Sequence, residues 1–328
     1  MGRRLRQWTK WLLAVVVVAV VGVNVLAYFH ARSMTHWSES KTRTPKPEEL
    51  SWPLRAKVLI TGVDLPRPTN NLTPRDLDLR FTLYRFPNGQ GDELEAWHIP
   101  AGSSDILFLV FHGYGASKGS MLPTAKALHD LGYSVLLVDF YGYGGSSGQG
   151  TRLGIGEALD VKAAVEFSRQ RWRDSSIVLY GQSMGGAAAI RATARHGVVP
   201  DGLVLEATFD RLLTTIKARF NAMDLPATPF AELLVFWGGV SAGINGFDHN
   251  PVEDASQVSC PALVLHGRHD PRVTIKQAKS IYNGLRGWKR FSEFETVKHG
   301  ALVLSDRSQW EAEIRALTRK IRTGTQSN

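Results

Sequence analysis

The chain has a single cysteine, Cys260, in 328 residues, which excludes an intramolecular disulfide and any small scaffold stapled by one. Cys260 precedes Pro261 at the start of an apolar, strand-like run and reads as a small core residue. A cationic patch interleaved with aromatics is also missing, as is zinc-finger spacing, so the formal charge of +9 gives no nucleic-acid surface. Four of those charges, Arg3, Arg4, Arg6 and Lys10, sit ahead of Trp11. There is no internal repeat and no cofactor motif. The glycine-rich stretch 142–150 lacks the Gly-Lys-Ser/Thr ending of a phosphate loop, and Ser147 stands where a dinucleotide-binding loop needs its third glycine. It reads as a loop beside the pocket. His266, His269 and Asp270 are metal-ligand types, but two histidines on one turn without a third spaced ligand make no zinc site. With 43% hydrophobic and 21% charged residues, what remains is an ordinary globular protein with one domain of about 250 residues and no cofactor.

What the chain does have is one long apolar run. No charged residue occurs over 11–29, close to the ~20 residues that cross a bilayer. The basic residues ahead of it, against Arg32 alone soon after, place the N-terminus in the cytoplasm and the rest outside. Residues 1–30 are therefore expected to be a single-pass signal-anchor. A cleaved secretory signal ending near Val25-Leu26-Ala27 is the alternative, and it delivers the chain to the same side. Asn24 is the only strongly polar side chain in the span and receives no role.

Residues 31–75 are polar and proline-punctuated, a stalk and irregular lead-in with one short strand expected over 58–63. From 76 to 323 the pattern is regular. Alternating runs over 81–86 and 94–99, joined through Asn88-Gly89-Gln90-Gly91, predict a hairpin. Apolar runs over 106–111, 135–140, 177–180, 203–205 and 262–265 alternate with helical patterns, which implies crossover units and a mostly parallel sheet covered on both faces. The stretch 211–258 is too long for a structureless loop and reads as a small helical cap. A last helix, 310–322, carries Trp310, Ile314, Leu317 and Ile321 on one core-facing stripe, and 324–328 is a tail.

Within this frame, Gly181-Gln182-Ser183-Met184-Gly185 follows an apolar strand run and precedes a small-residue helix start, the context of a nucleophile elbow. A serine hydroxyl needs a base, and the base a carboxylate. Downstream, the strand over 262–265 delivers Asp270, and a run over 291–297 delivers His299, in the order serine, acid, histidine. Glu206, at another strand end, is the alternative acid. His269 lies on the same loop as Asp270, which favours His299 as the base. His112 reads as structural and Asp139 as a turn-fixing carboxylate.

Four collinear motifs, Phe111-His112-Gly113-Tyr114-Gly115, the stretch from Val138 through Ser146, the elbow, and His266-Gly267-Arg268-His269-Asp270, resemble the α/β-hydrolase superfamily, in particular its serine aminopeptidase-like and α/β-hydrolase domain-containing branch. The resemblance covers roughly 77–321. It implies an α/β-hydrolase fold with an antiparallel N-terminal hairpin, helices on both faces and a cap. It also implies an oxyanion hole from the backbone N–H groups of Met184 and Tyr114. Lys298, before His299, departs from the small or acidic residue frequent there. The expected function is a membrane-tethered serine hydrolase acting on lipid-like or acyl esters. A serine aminopeptidase, a thioesterase or a catalytically silent binding protein are the alternatives.

Overall fold

The computed structural model describes residues 2–45, 49–102, 104–295 and 299–325. Two helices, α1 (Gly2–Thr35) and α2 (Trp52–Thr61), precede the sheet region. There follow β1 (Thr82–Pro87), β2 (Glu93–Ile99), β3 (Ile106–Phe111), α3 (Leu122–Asp130), β4 (Ser134–Val138), α4 (Glu157–Arg171), β5 (Ser176–Gln182), α5 (Met184–Arg195) and β6 (Gly202–Glu206). Helices α6 (Leu212–Asn221), α7 (Phe230–Ala242) and α8 (Pro251–Asp254) fill the stretch read as a cap, and β7 (Ala262–Gly267), α9 (Ile275–Gly284), β8 (Lys289–Phe294) and α10 (Arg307–Thr325) complete the chain.

The eight strands form one sheet in the order β1-β2-β4-β3-β5-β6-β7-β8. The β1–β2 and β2–β4 pairs are antiparallel and all others parallel, so the α/β architecture expected from the alternating runs is the one observed. Side chains alternate across β3 as the pleat requires: Leu107, Leu109 and Phe111 pack with α4 and α5 on one face, and Ile106, Phe108 and Val110 with α3 and α10 on the other. The stripe Trp310, Ile314, Leu317 and Ile321 is buried as its spacing implies, and the Trp310 indole donates to the Tyr180 hydroxyl at 3.1 Å.

Three expectations change. The strand expected over 58–63 is the second half of helix α2. Pro53 stands in the first turn, and burial of Val58 with Leu50 and Met223 outweighs the β preference of Val58, Ile60 and Thr61. Helix α1 runs to Thr35, beyond the span expected to end at 30, and Leu50, Val58 and Leu65 in the supposed stalk are buried. The glycine-rich loop over 142–150 lines none of the main cavity. It receives the chain leaving α1: Trp37 N–H donates to the Gln149 carbonyl at 3.2 Å, and the Trp37 indole donates to the Gly142 carbonyl. The strand expected over 291–297 is β8, while 296–298, Lys298 included, lie outside the described residues.

Beneath the sheet's carboxyl edge lies a buried charge cluster. The Lys118 ammonium, fully enclosed, reaches Glu95 Oε1 at 2.8 Å and the Asp139 carboxylate, with the Trp97 ring centre 4.4 Å away. Asp139 also accepts from Asn70 Nδ2 at 2.7 Å and from the amides of Lys118 at 2.7 Å and Gly145 at 2.9 Å. Burial pushes its pKa up, but the Lys118 charge and these hydrogen bonds prevail and hold it below the usual value. Asp139 is thus the turn-fixing carboxylate its position suggested. Replacing Lys118→Met strands Asp139 without its cation, and urea unfolding of the full chain in detergent is expected to register a loss of about 3–5 kcal/mol.

Candidate active site

Strand β5 ends at Gln182, and Ser183 takes φ 51° and ψ −113° before α5 begins. A non-glycine residue at such a φ holds about 1–3 kcal/mol of strain, which persists only where the surroundings enforce it. They do so by close approach. A Cβ on Gly181 would lie 2.4 Å from the Gly186 nitrogen, and one on Gly185 would lie 2.5 Å from the Phe111 carbonyl oxygen. The Ser183 amide is tied to the Glu206 carbonyl at 2.8 Å. As the first residue of α5, Met184 has an N–H with no acceptor inside the helix, at the positive end of its dipole.

The second expected donor is set from behind. His112 is fully buried, with Nδ1 2.9 Å from the Gly113 carbonyl oxygen and Nε2 accepting from the Phe140 amide at 3.3 Å. That pattern puts the single proton on Nδ1, and burial holds the pKa of the ring below its ordinary value. The Gly113 carbonyl and the Tyr114 N–H belong to one trans peptide unit and point in opposite directions. Fixing the carbonyl toward His112 therefore aims the Tyr114 N–H the other way. His112 is structural, as read from the sequence, and it positions a backbone donor without lining the cavity.

Asp270 follows β7 and is buried, with Oδ2 2.7 Å from His299 Nδ1. Its other oxygen accepts from the amides of Arg272 at 2.8 Å and Val273 at 3.0 Å. Burial pushes the carboxyl pKa up, but the His299 hydrogen bond and charge and the two amides offset this and leave it below the usual value. His266 braces the loop through Nε2, 2.8 Å from the Val273 carbonyl oxygen, while His269 is exposed. Glu206 is engaged elsewhere. It accepts from the Tyr180 hydroxyl and from Gln182 Nε2 at 2.6 Å, and burial pushes its pKa up. Ser183 and His299 line the same cavity, and no hydrogen bond joins their side chains among the described residues.

That cavity measures about 790 Å³, within the range of small-molecule sites. Its walls are largely apolar, with Leu26, Met34, Val58, Ile216, Phe220 and Leu234 among them. Three arginines, Arg43, Arg219 and Arg272, also line it. Arg43 Nη1 donates to the Gly115 carbonyl at 2.7 Å, and the half-buried Arg219 guanidinium lies 5.1 Å from the Tyr114 ring centre. Burial lowers the Arg219 pKa, the Tyr114 hydroxyl opposes this, and the charges of Arg272 and Arg43 lower it further. None of the three belongs to a motif, so the sequence offered no signal for them.

Two comparisons bear on this arrangement. Residues 102–238 match the model of a family described as serine aminopeptidase, S33. An esterase of Pyrococcus furiosus superposes with a TM-score of 0.65 at 24% identity, over 78% of this chain and 96% of that one. The chain has the α/β-hydrolase fold. It is 28% identical to an uncharacterized protein of Mycobacterium tuberculosis over 297 residues, 89% of each. It is 26% identical to the lysophosphatidylserine lipase of Mus musculus over 225 residues, 64% of this chain and 53% of the lipase, so that match spans about half of the relative. The family match and the lipase relative support hydrolase activity, and the solved neighbour supports the fold.

The two carboxylates are separable by kinetics. With a p-nitrophenyl ester, Asp270→Asn is expected to lower kcat by about 10⁴-fold, whereas Glu206→Gln stays within about tenfold of the parent. The folded pKa of Asp270 is depressed, so its contribution to stability is complete above the unfolded value of about 3.9 and is lost as pH falls through the lower folded value. Unfolding free energies measured across the acid range should accordingly fall less steeply in Asp270→Asn than in the parent.

Proposed function

We propose that this α/β-hydrolase is a membrane-tethered serine esterase that cleaves acyl esters of lipids, with Ser183 as nucleophile, His299 as base and Asp270 as the carboxylate that orients it. The observation that carries this reading is the single apolar cavity onto which Ser183, His299 and the Tyr114 loop all open. With Nδ1 engaged by Asp270, His299 presents Nε2 to accept the Ser183 proton. The serine oxygen then bonds to the ester carbonyl carbon, and the amides of Met184 and Tyr114 receive the negative charge that moves onto the carbonyl oxygen. His299 returns the proton to the leaving alcohol as the carbon–oxygen bond breaks, which leaves an acyl-enzyme. A water that gives its proton to His299 attacks the acyl carbon, the fatty acid departs and Ser183 is reprotonated.

The lining supports a lipid with an anionic head. Long apolar walls suit an acyl chain, and Arg43, Arg219 and Arg272 suit a phosphate or carboxylate. The same cations oppose an aminopeptidase, whose substrate would bring a positively charged amine to them. The relative named for lysophosphatidylserine agrees with such a head group. Helix α1, with a mean hydropathy of 2.7 over its most apolar stretch, is long and apolar enough to cross a membrane. The basic residues ahead of it favour a cytoplasmic N-terminus with the catalytic domain on the opposite side.

The test is a hydrolysis panel of lysophospholipids, monoacylglycerols, short esters, thioesters and aminoacyl amides on the full chain in detergent, with fluorophosphonate labelling in parallel. Ser183→Ala is expected to lose labelling and several orders of magnitude in kcat. Unchanged turnover in that variant refutes the reading. Arg219→Ala is expected to raise KM for an anionic lysophospholipid by about 10-fold or more, the scale of a charged hydrogen bond, and to leave a neutral monoacylglycerol nearly unaffected.

A further inference from the structure

Helix α1 has 34 residues, or about 51 Å at 1.5 Å per residue, against a hydrocarbon core of about 30 Å. Its two halves differ. From Trp8 to Val21 the large apolar side chains are exposed on all sides, as in a span that meets only lipid. From Val23 onward one face turns to the protein, and Val23, Leu26, Ala27, His30 and Met34, at helical spacing, line the cavity that holds Ser183 and His299. Asn24, given no role from sequence, fastens this half to α7. Its Oδ1 accepts from the Trp237 indole at 3.1 Å, and its Nδ2 donates to the Val20 carbonyl at 2.9 Å. Both polar ends are thereby satisfied, as a position within hydrocarbon demands. Tyr28 meets Trp237 edge-on at 5.6 Å, and a Cβ at Gly238 would already touch Ala31 at 3.8 Å.

The outer faces continue the span. Val25 and Phe29 on α1, Trp52 and Ile60 on α2, and Phe236 and Val240 on α7 are all exposed. Four large apolar residues are both exposed and part of the cavity lining: Val23 at 37%, Leu26 at 42%, Leu59 at 37% and Phe230 at 39%. They lie on α1, α2 and α7, so each of these helices contributes an apolar side to the mouth of the cavity, while Arg43 and Glu49 are exposed lining residues outside the three helices. So many large apolar side chains exposed on neighbouring helices are rare on a protein bathed in water. Here it adjoins a helix built to cross a bilayer, and the lining residues Val23, Leu26 and Ala27 fall inside the uncharged run that would lie in hydrocarbon.

We propose that the α1–α2–α7 collar is immersed in the outer leaflet and that the acyl chain of the substrate enters the catalytic cavity sideways from the bilayer, between Leu26, Leu59 and Phe230. The proposal rests on the hydrolase reading of the same cavity. An acyl chain that follows this route passes from lipid to an apolar wall without its methylenes entering water, each of which would cost about 0.8 kcal/mol.

The test uses the full chain in phosphatidylcholine vesicles. In a Cys260→Ser background, a bimane label at Phe236→Cys is expected to be quenched by brominated phosphatidylcholine, and one at Glu166→Cys on α4 is not. In parallel, Phe236→Ser combined with Val240→Ser, neither of which lines the cavity, is expected to slow hydrolysis of vesicle-embedded monooleoylglycerol by about tenfold while hydrolysis of p-nitrophenyl acetate is unchanged. Quenching together with lipid-selective loss supports lateral entry. An unquenched label at 236, or quenching with equal effects on both esters, overturns it, even where the esterase reading stands. A parent chain that hydrolyses neither ester refutes the esterase reading instead, and the quenching result then decides the immersion of the collar alone.

Discussion

The approach of helix α5 to strand β3 is the constraint on which the site depends. Backbone groups of different elements can be held side by side only if those elements touch, and here they touch through a missing side chain. Gly185 sits so close to the Phe111 and His112 carbonyls that a methyl group would push the helix away. With the helix in place, the end of β3 brings Tyr114 beside the start of α5, and the chain between β5 and α5 has no room for a relaxed turn. The strained φ of Ser183 is a result of that contact. A side chain with no chemistry of its own, that of glycine, thus governs where the chemistry is held.

Around this contact, charge is handled in two ways. Where a charge is buried it is matched, as with Lys118 between Glu95 and Asp139, which pins the turn after β4. Where a titratable group is buried without a full counter-charge, burial favours its neutral form, as at His112 and Glu206. Asp270, in the loop after β7, has its pKa held down by His299 and by the amides of Arg272 and Val273, whereas Glu206, at the end of β6, is of the second kind. The difference between the two carboxylates is therefore set by partners, which position along the chain alone does not reveal.

That explains what was legible in the sequence. The parallel strands, the elbow and the order of Ser183, Asp270 and His299 are local signals: apolar runs, glycine spacing and chain order survive without knowledge of the fold. The stripe of α10 is legible for the same reason. The helix α2 was not, because Val58, Ile60 and Thr61 favour a strand and its packing with Leu50 and the distant Met223 makes a helix the better arrangement. The cavity was least legible of all. Its walls come from segments near residues 23–34, 43–65, 113–116, 215–234 and 271–273, and no window of sequence contains the coincidence of Arg43, Arg219 and Arg272 on one chamber. Asn24 reads as an oddity in an apolar run until Trp237, far along the chain, supplies its partner.

The N-terminal helix of this protein is also masonry. Proteolytic release near Ala27, the ordinary way to free a domain from its tether, would carry away Val23 and Leu26 together with the Asn24 clasp on α7. The shed form would have a breached chamber open to solvent beside Ser183, so the two forms would differ in the cavity itself.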